Sequence, residues 1–335
     1  MTTDALDSHS VYPAALQSLY APIVKDLLQV ERILREEMRS DYPYVNELVR
    51  YGAMLGGKRL RPALLLLSAQ AVGTVNHNHH VLSAVVEMIH TATLVHDDVL
   101  DEAVTRRRLA TVNSRWDNEA SVLLGDFLFT HAFYLASTLD TPFACRTIGR
   151  STNIVCEGEL RQKGNRGDFS LSEEEYLEII DAKTAELCAC ACRLGAHYAD
   201  GDEATVEALT LYGRNLGIAF QIADDLLDVI GSEATVGKSL GTDLEKQKPT
   251  LPVIRVLQLA NEQERRQVLE ILESDSPEKR AQLEPWFERF DALNYTRAQA
   301  QKFAETALQQ LDVLAAGPAR ETLARLTEFV VQRSL

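Results

Sequence analysis

The chain has 335 residues, 46% of them hydrophobic and 25% charged, a balance that supports a packed core and excludes a mainly disordered or collagen-like polymer. A net charge of −15 opposes nucleic acid and anionic membrane surfaces, since both reward a basic footprint. Glycine (17) and proline (10) are sparse, and few runs alternate apolar with polar as a half-buried strand does, so the composition leans towards helix.

The start, Met1-Thr2-Thr3-Asp4, is acidic and lacks the basic region and apolar run of a secretory signal. No stretch approaches about 18 consecutive apolar residues, so no integral membrane segment is expected, and the predicted location is cytoplasmic. Residues 1–12 carry no periodicity and read as a flexible N-terminus. An amphipathic helix is expected over 14–39. Beyond it, apolar residues recur three and four apart, broken only near 40–43, 56–57, 73–80, 141–142, 164–172, 199–203 and 231–248. None of these breaks has the composition of a linker. The expected fold is therefore all-α, a single large helical bundle of about ten or more helices over residues 13–335.

Ser172, followed by Glu173-Glu174-Glu175, is a predicted helix cap. His77-Asn78-His79-His80 reads as a solvated polar turn without a role. Cys188, Cys190 and Cys192 lie too close in sequence to bridge one another and lack the further ligands of a zinc site, so reduced core thiols are expected.

The chemistry concentrates in two matched clusters, Asp97-Asp98-Val99-Leu100-Asp101 and Asp224-Asp225-Leu226-Leu227-Asp228, each inside an apolar helical pattern. On a helix the first and fifth positions share a face, so Asp97 with Asp101, and Asp224 with Asp228, each present two carboxylates in one direction. Hard oxygen ligands so placed suit Mg²⁺, which keeps waters and bridges to substrate phosphates. The matching cations come in short basic groups: Gly56-Gly57-Lys58-Arg59-Leu60-Arg61-Pro62, Arg106-Arg107-Arg108, Lys183-Thr184 and the stretch from Lys238 to Lys248. Arginine offers a planar fork to diphosphate oxygens and lysine a point charge, while glycine before Lys58 allows close approach. The Gly-Gly-Lys-Arg run lacks P-loop spacing, so nucleotide hydrolysis is not indicated.

With Ile89-His90-Thr91, Gly125-Asp126-Phe127, Gly158-Glu159-Leu160-Arg161-Gln162, Gln221 and Lys248-Pro249-Thr250-Leu251-Pro252, this set resembles the all-trans polyprenyl (isoprenyl) diphosphate synthases, from about residue 44 to 252. The resemblance implies a helical bundle around a central hydrophobic cavity and a homodimer. It also implies condensation of isopentenyl diphosphate with an allylic diphosphate. On that pattern Lys58, Arg61, His90 and Arg107 hold the first diphosphate. Arg106, Lys183, Thr184, Gln221 and Lys238 face the second, with Lys248 near it. Asp97, Asp101 and Asp224 ligate Mg²⁺, three ions with the allylic diphosphate, and Asp225 and Asp228 support them. Asp97, Asp101, Asp224, Lys183 and Arg106 are the catalytic candidates. Arg108 stands where the family usually has glycine, which puts the local turn in question.

The growing chain is expected to run along the face of the Asp97 helix through Thr93, Ala92, Ile89 and Met88. Short-chain relatives carry an aromatic residue four or five positions before the first aspartate, whereas Thr93 and Ala92 are small. The expected product is therefore C30–C50, with Met88, Ile89 or Phe133 available as a floor. A short-chain product and a non-catalytic subunit are the alternatives, and the second usually goes with loss of one aspartate cluster.

Overall fold

The computed structural model describes residues 14–55, 57–139, 141–230, 242–276 and 278–332. Helix makes up 80% and strand 1%, as the all-α expectation requires. The described residues fall into two compact units. Unit 1 takes those up to 148 with 190–210 and 311–326, and unit 2 takes 149–189, 211–310 and the residues from 327.

Unit 1 begins with α1 (Ala14–Tyr20), a 3₁₀ turn (Ala21–Ile23) and α2 (Val24–Glu37). The continuous helix expected over 14–39 is thus divided, because Pro22 has no N–H to donate and starts a new turn. Next come α3 (Pro43–Met54), opened by a proline at its first turn, and α4 (Leu60–Val72), whose residues 62–69 are buried without a break. The central element is α5 (His77–Leu100), which packs on α2, α4 and α7 (Asn118–Ser137). The histidine cluster is the first turn of α5, not a solvated loop. Asn76 caps the helix, its backbone N–H donates to His79 Nδ1 at 3.0 Å, and His79 itself is buried. Between α5 and α7 lie the two-residue strands β1 (Thr105–Arg106) and β2 (Leu109–Ala110) and a short α6 (Val112–Arg115). Among the described residues α7 alone is long and apolar enough to cross a membrane by length and composition, and 44% of its apolar window is buried inside the fold.

Unit 2 contains most of α8 (Phe143–Gly164), α9 (Glu173–Ile180), a π-helical turn (Asp181–Ala185), the start of α10 (Glu186–Tyr198) and most of α11 (Glu203–Ile230). After a short α12 (Thr242–Glu245) come α13 (Leu251–Leu259), α14 (Glu262–Glu273), α15 (Lys279–Arg289) and α16 (Ala292–Gln310), with the end of α17 (Pro318–Gln332). The predicted cap is present: Ser172 accepts from the Glu175 N–H at 3.2 Å and Glu175 accepts from the Ser172 N–H at 2.9 Å. One apolar core joins Val229, Leu244, Val256, Val268, Leu283 and Phe287. All five cysteines are free thiols, with Cys188, Cys190 and Cys192 buried, as expected.

Candidate active site

In unit 1 the last turn of α5 sorts its three aspartates by burial. Asp97 and Asp101 are half-buried and one turn apart, the Asp101 N–H donating to the Asp97 carbonyl at 2.8 Å. Asp98 turns inward at 1% exposure and accepts from Arg106 Nε at 2.9 and 3.1 Å. The middle aspartate of the cluster therefore fixes an arginine, while its neighbours keep their carboxylates near solvent.

Arg106 lies on β1, which pairs Thr105 with Ala110 and Arg106 with Leu109, leaving Arg107 and Arg108 as the two turn residues. Their φ values of 52° and 67° are left-handed, as a two-residue hairpin of this hand demands. Arg108 thus adopts the conformation that glycine adopts without strain. Arg108→Gly should raise unfolding stability by about 1 kcal/mol, the cost of an L-residue there; a urea titration showing a loss would contradict this.

Arg107 reaches back to the loop before α4, its Nη1 donating to the Leu55 carbonyl at 2.6 Å. A Cβ on Gly57 would lie 2.3 Å from Arg107 Nη2, so the glycine admits a guanidinium of the protein itself. Tyr20 donates to the Lys58 carbonyl at 2.8 Å and helps to fix the same loop. Arg59, at φ 53°, turns inward to Glu31 and Glu87, each at 2.7 Å. Arg61 keeps a buried Nε with no hydrogen-bond partner among the described residues. Burial, followed by the charges of Arg61, Arg107, Arg106 and Arg59, pushes the His90 imidazole well below its usual range, so it is neutral at pH 7. The structure therefore brings His90 together with Arg61, Arg106 and Arg107, a set of groups that an arriving anion would relieve of mutual repulsion.

In unit 2 a hydrogen-bonded series links the second cluster to the π-turn. Thr184 donates to Gln221 at 2.9 Å, Gln221 donates to Asp225 at 2.7 Å, and Tyr176 donates to the other Asp225 oxygen at 2.7 Å. Burial and the nearby Asp243 charge raise the Asp225 carboxyl to about 7, against the pull of the Tyr176 and Gln221 hydrogen bonds. Asp228 is 2% exposed and accepts the Asp243 N–H at 3.1 Å, whereas Asp224 is half-buried. Lys183 Nζ contacts Glu159 at 2.7 Å and Gln162 at 2.9 Å, and Lys248 lies 3.7 Å from Asp243. Lys183, Gln221, Asp225, Asp243 and Lys248 share the lining of one small cavity. Lys238 lies outside the described residues.

The π-turn that carries Lys183 and Thr184 is held from several sides. Arg214 grips Asp181 and Glu186, each at 2.6 Å, and Ser151 donates to Glu186 at 2.7 Å. A Cβ on Gly217 would stand 2.5 Å from the Ala185 Cα, so α11 approaches the turn at backbone contact. Gly217→Ala should therefore cost about 1–3 kcal/mol and lower turnover by displacing Lys183 and Thr184. Thermal melting together with turnover checks both effects.

Sequence reasoning missed Glu31, Glu87, Tyr176 and Asp243 as partners of these groups. A lone carboxylate at position 87 inside the buried run 81–89 was the available signal for one of them. Among the described residues, no three His, Cys, Asp or Glu side chains converge as a self-sufficient metal cage. The half-buried carboxylates of Asp97, Asp101 and Asp224 fit a hard cation whose remaining ligands come from water and phosphate, whereas Asp228 is buried and engaged by the Asp243 N–H. On the expected tunnel face Met88, Ile89 and Ala92 are at most 1% exposed, Thr93 is half-buried and donates to the His90 carbonyl at 2.8 Å, and Phe133 is half-buried on α7.

Residues 42–289 match the polyprenyl synthetase family model. The octaprenyl diphosphate synthase of Escherichia coli is 36% identical over 95% of this chain and 99% of its own length. A short chain isoprenyl diphosphate synthase of Methanothermobacter thermautotrophicus is 38% identical over 83% and 87%. Among solved structures, a decaprenyl diphosphate synthase from Rhodobacter capsulatus superposes with a TM-score of 0.89 at 37% identity, covering 95% of this chain and 99% of that one. A polyprenyl synthase from Caulobacter crescentus, complexed with calcium and isoprenyl diphosphate, gives 0.89 at 36%, covering 95% and 97%. The chain belongs to the polyprenyl synthetase family and is a prenyltransferase.

Proposed function

We propose that the protein condenses isopentenyl diphosphate head-to-tail with an allylic diphosphate, in a Mg²⁺-dependent reaction, to give an all-trans polyprenyl diphosphate of C30–C50. The observation that carries this reading is the His90 imidazole set among guanidiniums in the unit that holds the first aspartate cluster, the second cluster being intact in the other unit. Lys58, Arg61, His90 and Arg107 bind the isopentenyl diphosphate head. Arg106, Lys183, Thr184, Gln221, Lys238 and Lys248 bind the allylic head. Asp97, Asp101 and Asp224 would hold Mg²⁺, three ions with the substrate, with Asp225 and Asp228 in support. Bound Mg²⁺ supplies positive charge that stabilises the departing diphosphate.

The allylic C–O bond breaks heterolytically, and the leaving diphosphate takes the electron pair. Arg106 and Lys183 stabilise that developing negative charge in place. The isopentenyl double bond then attacks the allylic carbon, and loss of a proton to the released diphosphate restores neutrality at carbon. No side-chain base is required. Asp98 and the Glu159–Lys183 contact set the cations before substrate arrives, so little reorganisation remains for the reaction itself.

We further propose that residues 13–335 act as one domain in a cytoplasmic homodimer. Free cysteines support the compartment, and the exposed Val122, Leu123 and Tyr134 on α7 support the dimer. The long product is supported by small Thr93 and Ala92 and by the octaprenyl and decaprenyl relatives. A shorter product is the second reading, favoured by the short-chain relative and by the full burial of Met88 and Ile89. Mass spectrometry of products from isopentenyl diphosphate with dimethylallyl, geranyl or farnesyl diphosphate separates them. Chains of C30 or more support the proposal, C15–C20 supports the shorter reading, and no condensation contradicts both.

A further inference from the structure

Unit 1 also contains a cavity of about 590 Å³ between the end of α2, α3 and the middle of α5. On α5 it is lined by Glu87 and Thr91, which share a face with Asp98 and lie roughly 100° around the helix from Asp97. Neither Asp97 and Asp101 nor the expected tunnel residues Met88, Ile89, Ala92 and Thr93 line it. The floor is the Arg59 guanidinium bridging Glu31 and Glu87, a closed triad of one cation and two carboxylates. One wall is apolar: Leu34 of α2, Met38 just past its end, and Ala53 and Met54 from α3. Met54 is 65% exposed, a large hydrophobic side chain left open beside a cavity.

The remaining lining is Ser40, Asn46 and three arginines. Arg35 in the last turn of α2, Arg39 two residues beyond its end and Arg50 on α3 all line the cavity. None of the three makes a hydrogen bond or ion pair among the described residues. The contrast with Arg32, paired to Glu36 at 3.1 Å on the same helix, shows that α2 can neutralise an arginine when the position calls for it. Three unmatched guanidiniums around one apolar cavity run against a chain of net charge −15. Planar guanidinium forks fit tetrahedral phosphate oxygens, and three of them match a dianionic head better than a carboxylate.

We propose that this cavity binds an anionic amphiphile, a single hydrocarbon chain with a phosphate or diphosphate head. Arg35, Arg39 and Arg50 hold the head, and Leu34, Met38, Ala53 and Met54 hold the chain. Such a ligand comes either from prenyl phosphates or from single-chain lysophospholipids, which share this chemistry.

The test is calorimetric titration of the full chain with dodecyl phosphate below its micelle concentration, in EDTA so that the aspartate clusters carry no divalent ion. Binding should weaken at least tenfold in Arg35→Gln/Arg39→Gln/Arg50→Gln and in Met54→Glu, all at exposed positions, with melting temperature confirming the fold. Dodecanol and inorganic phosphate, each carrying half of the ligand, should bind at least tenfold more weakly than dodecyl phosphate. Farnesyl phosphate and dodecanoyl lysophosphatidate then identify the source by the tighter of the two, and either one binding supports the site. Unchanged affinity in both variants would overturn the proposal. So would equal binding of dodecanoate, or loss of binding in Arg61→Gln, which would put the ligand in the reaction site instead.

Discussion

Asp97→Ala should lower kcat by about 10³-fold or more and leave KM for isopentenyl diphosphate within about threefold. The asymmetry follows from where the residues lie. The groups assigned to the isopentenyl head are a histidine and cations clustered around the α4 loop and the hairpin, whereas Asp97 is a carboxylate at the far end of α5 with no place among them. On the proposed reading its removal takes away a cation ligand and hence stabilisation that matters as the C–O bond breaks. The fold should survive, because Asp97 is half-buried and its loss relieves repulsion with Asp101. Asp98→Ala should behave differently. It strips a buried partner from Arg106, so the melting temperature should fall together with turnover. Steady-state kinetics of the Asp97 variant decide the matter: near-normal turnover would remove Asp97 from the site.

Periodicity and composition made the helical class legible, since long three-and-four spacing leaves an amphipathic face with nothing but another helix to pack on. The interruptions were legible too, except where a cap was mistaken for a loop. At residues 77–80 polarity suggested solvent, yet Asn76 and His79 satisfy one another's backbone groups and begin α5. At residue 22 the amphipathic pattern ran on, and only the chemistry of proline marks the break. Such local hydrogen-bond solutions do not show in hydrophobic spacing.

Within the site, residue types that face ligand are legible because the pattern of charges in an apolar helix has few other uses. The groups that hold them are not. Glu31 is 28 residues from Arg59, Tyr176 is 49 from Asp225, and neither separation leaves a local signature. The glycine before Lys58 is expected to admit a diphosphate close to the backbone. The approaching group, however, includes Arg107 of the chain itself, which only tertiary structure reveals. Similarly, the two aspartates that look alike in sequence, Asp97 and Asp98, divide between open and buried positions because 100° per residue separates their faces.

Ala92→Phe should shorten the product by at least one isoprene unit while changing the first condensation by no more than about threefold. One α-helical turn rises about 5.4 Å, close to the extended length of an isoprene unit, so a bulky group one turn nearer the diphosphate removes about one unit or more of room. Ala92 lies five residues before Asp97, and Met88 lies a further turn back, both fully buried in α5. Thr93 cannot substitute as a stop, because its hydroxyl is turned onto the His90 carbonyl and its side chain is short. Forcing a phenyl ring into this packing should also cost about 1–3 kcal/mol, seen as a lower melting temperature. Destabilisation and chain length separate cleanly: a merely packing role for Ala92 predicts lower stability with the same product, whereas a tunnel wall predicts a shorter one. Met88→Ala supplies the opposite sign, a longer product if Met88 is the floor. Unchanged lengths in both variants, measured by mass spectrometry, would move the limiting surface off α5.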